Sequence, residues 1–307
     1  MNLLLVTSPA HSVLYRLLRV SQADLTILAE MRGVRATPVA PLRYRIRIPP
    51  MRYPIVTALL LFCSLMAWPQ DPLRYACRRA ETPPRIDGKL DDAAWAAAPW
   101  TTDFVDIEGD AKPRPRFRTR AKMLWDDEYF YVAAELEEPH VWATLTDHDA
   151  VIFRDNDFEV FLNPSGDGLN YFEFEINARN TGWDLFLARP YKKKGRADNT
   201  WEIPGLKTAI HVDGTLNNAG DEDRGWTVEI AFPWKDFASR APVRRPEAGD
   251  VWRVNFSRVE WRTTIEDGNY VKVPKLREDN WVWSPQGLID MHVPEMWGYV
   301  RFEQAQP

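Results

Sequence analysis

The sequence predicts an all-β protein, an antiparallel β-sandwich of the jelly-roll or immunoglobulin-like kind with a few short helical turns. Three observations point there. Apolar residues recur with a period of two in many short runs, turn residues separate those runs, and hardly any stretch carries a helical period. Residues 83–304 have the length of one such domain.

Taken from the N-terminus, residues 1–50 show short apolar bursts, many arginines and a proline-rich end, with no sustained period, and are read as an over-extended start, the alternative being an unusually long leader, and in either case outside the fold. Met51 opens a different pattern. Arg52 gives a positive end, residues 55–66 an apolar stretch, and Ala67-Trp68-Pro69-Gln70 a breaking exit. That is the layout of a secretory signal peptide over residues 51–70, too short for a comfortable membrane span. It predicts a secreted, periplasmic or cell-surface protein with no membrane span in its mature form. Residues 71–82 read as a linker. Cys63 would leave with the signal, so Cys77 stands alone and no internal disulfide is available.

The body opens on Arg85-Ile86-Asp87-Gly88-Lys89-Leu90-Asp91-Asp92-Ala93-Ala94-Trp95. Asp87-Gly88 is a turn, and Asp91 is placed to cap a short helical stretch that includes Trp95. Strands follow at residues 119–125 and 129–137, joined by the Asp126-Asp127-Glu128 turn, with Phe130, Val132, Ala134 and Leu136 as the inward row. The central hairpin comes next. In residues 157–162, Phe158, Val160 and Leu162 alternate with Asp157, Glu159 and Phe161; in residues 171–177, Phe172, Phe174 and Ile176 alternate with Glu173, Glu175 and Asn177. One face is apolar and the other acidic, and the breaker cluster of residues 163–168 turns the chain between them. The plainer reading of the acidic row is a solvated outer face. Further strands are expected at 182–188, 206–212, 226–232, 251–261 and 298–302, with a short helical turn at Pro233-Trp234-Lys235-Asp236-Phe237.

Composition narrows the function. The net charge of −5 combines +5 in residues 1–50 with −10 over residues 51–307, and an acidic body disfavours nucleic acid and anionic membrane as partners. The 14 tryptophans exceed what one core requires, and a flat ring with one donor suits stacking on sugars or other planar ligands, although most of them fill the sandwich. The five histidines make no metal-binding spacing, and no phosphate loop, nucleophile elbow or Cys-x-x-Cys is present. Asp87, Asp91, Asp103, Asp155 and Asp157 are hard oxygen ligands near turns, compatible with a structural calcium, although turn aspartates are more often caps. Glu159 and Glu175, on adjacent strands, have the types needed for the acid and nucleophile of a glycosidase; the short loops argue against the deep cleft such an enzyme needs.

Several motifs in order carry a resemblance. Ile86-Asp87-Gly88-x-Leu90-Asp91-Asp92-x-x-Trp95, Leu124-Trp125-Asp126-Asp127-Glu128-Tyr129-Phe130-Tyr131-Val132, Asp155-Asn156-Asp157-Phe158-Glu159-Val160-Phe161-Leu162, Gly225-Trp226-Thr227-Val228-Glu229-Ile230-Ala231 and Trp297-Gly298-Tyr299-Val300-Arg301-Phe302 together resemble the family 9 carbohydrate-binding modules, among the DOMON-like β-sandwiches. The likeness implies a secreted, noncatalytic sugar-binding module tied to breakdown of plant cell-wall or other polysaccharides, requiring no cofactor beyond structural calcium. It implies a terminal sugar held between two tryptophans, with an acid, an arginine and asparagines bonding the hydroxyls. By position the first clamp residue falls on Phe153, the acid on Glu159 and a strand asparagine on Asn177. Two positions depart: the strand arginine falls on Glu175, and the second clamp tryptophan near Met291-His292. Trp281, Trp283 or His292 are candidates for the second stacking face and Arg258 for the guanidinium, each equally readable as a buried ring or a surface arginine.

The module would then serve separate secreted glycoside hydrolases or capture sugars at the cell surface. Two alternatives stay open: a haem-binding electron carrier of the DOMON type, and a glycoside hydrolase acting on O-glycosyl bonds. Met291 and His292 suggest the first, but adjacent residues of a strand point to opposite faces and could not both ligate one iron.

Overall fold

The computed structural model describes residues 72–241 and 243–305 in full and, nearer the N-terminus, the backbone of four strands. The chain divides into two units, Met1–Trp68 and Pro69–Pro307. In the first, β1 (Leu3–Ser8), β2 (His11–Ser21), β3 (Asp24–Met31) and β4 (Tyr44–Ile46) pair antiparallel in that order, although no sustained period marks them in the sequence. The signal segment, residues 51–70, lies outside the described residues.

The second unit carries β5 (Arg74–Arg79), β6 (Val105–Asp106), β7 (Thr119–Trp125), β8 (Tyr129–Glu137), β9 (Asp157–Asn163), β10 (Tyr171–Asn177), β11 (Gly182–Leu187) and β12 (Ala197–Asp198). It continues with β13 (Lys207–Asp213), β14 (Gly225–Pro233), β15 (Val251–Glu260), β16 (Thr263–Glu266), β17 (Asn269–Lys272), β18 (Asp279–Val282) and β19 (Gly298–Glu303). Helices α1 (Ala93–Ala97) and α2 (Trp234–Phe237) are single turns. Among the described residues no helix is long and apolar enough to cross a membrane.

One hydrogen-bonded path, β12-β11-β10-β9-β15-β19-β5-β7-β8-β14-β13, folds back on itself. The inward rows of β9, β10 and β15 (Phe158, Val160, Phe172, Phe174, Phe256) join those of β7, β8 and β14 (Met123, Phe130, Val132, Val228, Ile230, Phe232) in one core. Aromatic contacts bridge the layers, with ring centroids of Phe174 and Phe232 5.8 Å apart and those of Phe130 and Trp252 6.5 Å apart. The sandwich expected from the alternation is therefore present, and β9, β10, β7 and β8 fall where the period of two placed them.

Two expectations need correction. Residues 71–82 are not simply a linker: β5 lies inside the sheet, parallel to both β19 and β7, so the sandwich is not wholly antiparallel. Only Tyr75 and Cys77 of β5 point inward, among arginines, which is too short a row to read as a strand. Second, the N-cap of α1 is Asp92, not Asp91, and its carboxylate makes no capping bond; it accepts the Arg85 N–H at 2.8 Å.

The opening motif is explained by a buried acid. Glu229 of β14 accepts the N–H groups of Asp87 and Gly88 and the indole N–H of Trp95, at 2.8, 2.6 and 2.6 Å. Gly88 has φ +86°, and a Cβ there would meet the Ile210 carbonyl carbon at 2.5 Å, so the turn requires glycine. Cys77 is free and buried, in keeping with a fold held by its core.

Candidate functional site

The acidic face of the central hairpin is not solvated. Across β11, β10, β9 and β15 its side chains form two rows, Trp183–Glu175–Glu159–Ser257 and Leu185–Glu173–Phe161–Asn255. A second small core covers part of this face. Ile107, Met291 and Trp297 come down on Phe161, Tyr171, Leu185 and Val282, and Trp297 is pinned by its indole N–H donating to the Met291 carbonyl at 2.8 Å. The carboxylates of Glu159, Glu173 and Glu175 are left at the base of a cleft of about 260 Å³, each no more than 5% exposed.

Exposed rings stand around that base. Phe153 is 39% exposed on the 3-10 turn Ile152–Arg154, and Tyr191 is 46% exposed on the 3-10 turn Tyr191–Lys193. Phe153 is held on both sides of its peptide: its N–H donates to Glu175 Oε2 at 2.9 Å, and its carbonyl accepts the Trp261 indole N–H at 2.8 Å. Trp183 lies 6.5 Å from Phe153, ring to ring, and His292 lies 4.4 Å from Tyr191. Arg277 and Glu278 also line the cleft, Arg277 mostly exposed.

Burial and crowding set the charge state. The Glu159 carboxyl is pushed up to about 7, chiefly by desolvation. Those of Asp157, Glu173 and Glu175 rise well above the carboxylate range, first from burial and then from one another's charges and that of Glu159. Asp157 Oδ2, Glu173 Oε2 and the Trp183 indole nitrogen are buried without a hydrogen-bond partner. These are groups whose desolvation is uncompensated within the chain. Lys272, in the same field, points its ammonium to the Arg154 carbonyl and the Trp261 ring. His292 is neutral, its imidazole held down to about 4 by burial, with Nδ1 2.9 Å from the Tyr171 hydroxyl.

The structure brings together Phe153, Glu159, Glu175 and His292 and leaves out the other sequence candidates. Asn177 is fully buried, and its amide is saturated: Nδ2 donates to the Leu145 carbonyl and Asp155, while Oδ1 accepts from Arg179 and Thr181. Arg258 is closed into the core by Glu138 and Glu260, both at 2.8 Å, and by Thr119 and the Glu137 carbonyl. Trp281 and Trp283 are core rings, Trp281 opposite Arg258 in the β15–β18 register. The reason is parity: Ser257 and Val282 face the cleft, so their neighbours face the core.

Of the calcium candidates, Asp87 pairs with Arg85 at 2.7 Å, Asp91 and Asp103 are exposed, and Asp155 already accepts the Thr144 and Leu145 N–H groups and the Thr144 hydroxyl. Only Asp157 joins a donor set, with Glu159 and Glu175, their oxygens within 4.8 Å of one another. Met291 and His292 are not in a strand, so alternation does not decide whether they could share a ligand. Reading the sequence missed Trp183, Tyr191 and Arg277 as cleft residues. Trp183 had a signal, since the short turn of residues 178–181 sets it opposite Glu175; Tyr191 and Arg277 sit on irregular segments and had none.

Comparison with known proteins agrees with this architecture. A putative carbohydrate-binding protein from Bacteroides uniformis superposes with a TM-score of 0.57 at 15% identity, covering 75% of this chain and 99% of that one. Exoglucanase XynX from Acetivibrio thermocellus is 26% identical over 151 residues, 49% of this chain, and Endo-1,4-beta-xylanase C from Paenibacillus barcinonensis is 30% identical over 90 residues, 29% of this chain. The chain spans only 12% and 8% of the lengths of those two relatives. The model of the carbohydrate family 9 binding domain-like proteins matches residues 86–257, more than half of the chain and all of the cleft's acidic strands, and the chain belongs to that family.

Proposed function

We propose that the cleft on the β9–β10–β11 face holds a carbohydrate without transforming it, and that the protein serves polysaccharide breakdown outside the cytoplasm, exported through the segment beginning at Met51. The observation that carries this reading is the pairing of exposed rings with unpartnered buried polar atoms in one cleft. Phe153, Trp183 and Tyr191 offer apolar faces for the C–H side of a sugar ring. Glu159 and the free Glu173 oxygen accept from hydroxyls, the Trp183 indole and Arg277 donate to them, and hydrogen bonds to charged groups carry orientation. Family membership and the names of the two curated relatives support a glycan of the plant cell wall as ligand and separate secreted glycoside hydrolases as working partners. Calcium, where bound, finds its best-fitting donors in Asp157, Glu159 and Glu175, since Asp157 Oδ2 has no other partner; it would neutralise charge that the chain leaves uncompensated.

Affinity electrophoresis of the protein through gels containing a panel of soluble polysaccharides tests the reading. Retardation in at least one gel, relieved by a free oligosaccharide, is the expected result; unretarded migration in all of them ends it. A second reading has one observation in its favour. Glu159 and Glu175 are directly opposed across β9 and β10, both with raised carboxyls, and closely spaced carboxylates of this kind serve retaining glycosidases. It requires release of reducing sugar that Glu159→Gln abolishes, and absence of turnover on every glycan that binds removes it.

A further inference from the structure

A second titratable cluster lies beside the cleft wall rather than in its base. Asp184 follows Trp183 on β11 but sits in the opposite row, across from Phe174. Its Oδ2 accepts the Ile203 N–H at 2.7 Å, and its Oδ1 is buried and unpartnered in a side chain only 1% exposed. Asp149 has φ +62°, donates its own N–H to the Gly182 carbonyl at 3.1 Å, and likewise leaves Oδ1 buried and unpartnered. Glu202 arrives from the segment that Asp184 anchors. His148 completes the group: its Nε2 lies 3.0 Å from Glu202 Oε2, 3.5 Å from Asp149 Oδ1 and 3.7 Å from Asp184 Oδ1.

We propose that His148, Asp149, Asp184 and Glu202 form a binding site for a divalent metal ion of the zinc class. Zinc holds nitrogen and oxygen donors at about 2.0–2.2 Å, which in a tetrahedron sets the donor atoms about 3.3–3.6 Å apart, close to the spacing seen from Nε2. One imidazole among carboxylates favours a borderline ion over calcium, which takes oxygen alone. The Asp149 N–H bond to β11 and the Ile203 N–H bond to the Asp184 carboxylate fix the three contributing segments before any ion arrives, so two carboxylate oxygens are aimed toward His148 with no hydrogen bond from the chain. The ion would tie the loop leading to Phe153, the strand bearing Trp183 and the segment after β12 into one wall. This site uses a single histidine and donors from three separate segments, which is why histidine spacing along the chain gave no sign of it.

The test is calorimetric titration of the whole, tag-free protein with zinc in buffer holding calcium in large excess, which occupies all-oxygen sites such as Asp157, Glu159 and Glu175. One zinc per chain is expected, weakened by about tenfold or more in His148→Ala and in Glu202→Gln, and unchanged in Glu175→Gln. His148 and Glu202 are both exposed, so these variants fold, and matching urea midpoints with wild type in the presence of a chelator verify it. Cobalt(II) gives a second readout: a visible absorption band that His148→Ala shifts or removes. No zinc uptake, or uptake equally tight in both variants, overturns the proposal and leaves the cluster as an ion pair around a protonated imidazole.

Discussion

Two buried groups of charges flank the same strand, β15, and they behave differently. On the core face, Arg258 takes Glu138 and Glu260 at 2.8 Å each, with its other N–H groups on Thr119 and the Glu137 carbonyl. On the cleft face, beside Ser257, four carboxylates gather with no cation among them, and Asp157 Oδ2 and Glu173 Oε2 accept no hydrogen bond. Burial is equal, but one group is closed and the other open. Closed networks define a fold, whereas unbalanced ones mark where something from outside completes the structure.

The comparison can be broken most forcefully on the closed side. Arg258→Met leaves Glu138 and Glu260 buried without their cation, and a loss of about 3–5 kcal/mol is expected from urea denaturation. A loss below about 1 kcal/mol would mean that this network is no tighter than a surface pair.

The open side answers to pH. Glu159 sits at about 7 in the fold against an ordinary value of 4.5, so the folded chain binds more protons than the unfolded one between those values. Its contribution, on the order of 3 kcal/mol, is present below about pH 4.5 and disappears as pH rises through about 7. Melting in a chelating buffer is expected to drop between pH 5 and 8. Glu175→Gln, which keeps the acceptor for the Phe153 N–H, is expected to flatten that drop and raise stability at pH 8 by on the order of 1 kcal/mol. A melting temperature that climbs steadily over this range would contradict the assignment.

Ligand measurements then sharpen the contrast. Glu159→Gln is expected to weaken carbohydrate binding about 10- to 100-fold, the worth of a hydrogen bond to a charged group, while fold stability at neutral pH rises because the buried titrating carboxyl is gone. Phe153→Ala, which removes one stacking face, is expected to cost about tenfold at most. Equal binding by wild type and Phe153→Ala would move the stacking face to Trp183 and Tyr191 alone.

The fold of the second unit was legible because period-two alternation survives in its long strands. β8, β9, β10 and β14 each carry an unbroken inward row, while β5 hid because two apolar residues among arginines do not make a row. The site was half legible. Parity alone separates Glu159 and Glu175 from Arg258, Trp281 and Trp283, which entered as substitutes for a clamp ring and an arginine that the resemblance did not find at their own positions. Asn177 has the right parity but terminates its strand, where turn amides take its hydrogen bonds. All described tryptophans but Trp100, Trp183 and Trp261 are buried, so abundance of the residue said little about the cleft. Whether a carboxylate row is solvated depends on what folds over it, and Ile107, Met291 and Trp297 come from segments that carry no period.

The parallel pairing of β5 with β19 bears on how the domain responds to force. The register runs from Arg74 opposite Tyr299 to Arg78 opposite Glu303, so the leading end of one strand lies beside the leading end of the other. Tension applied through residues 74 and 303 pulls the two strands lengthwise past each other, and their hydrogen bonds share the load together instead of opening one by one. Single-molecule pulling between those residues should give a high, single rupture peak, and a gradual low-force extension would argue against it. A domain that grips an immobile glycan while its other end is dragged by flow or by a moving enzyme would be clamped at the seam where its two sheet halves join.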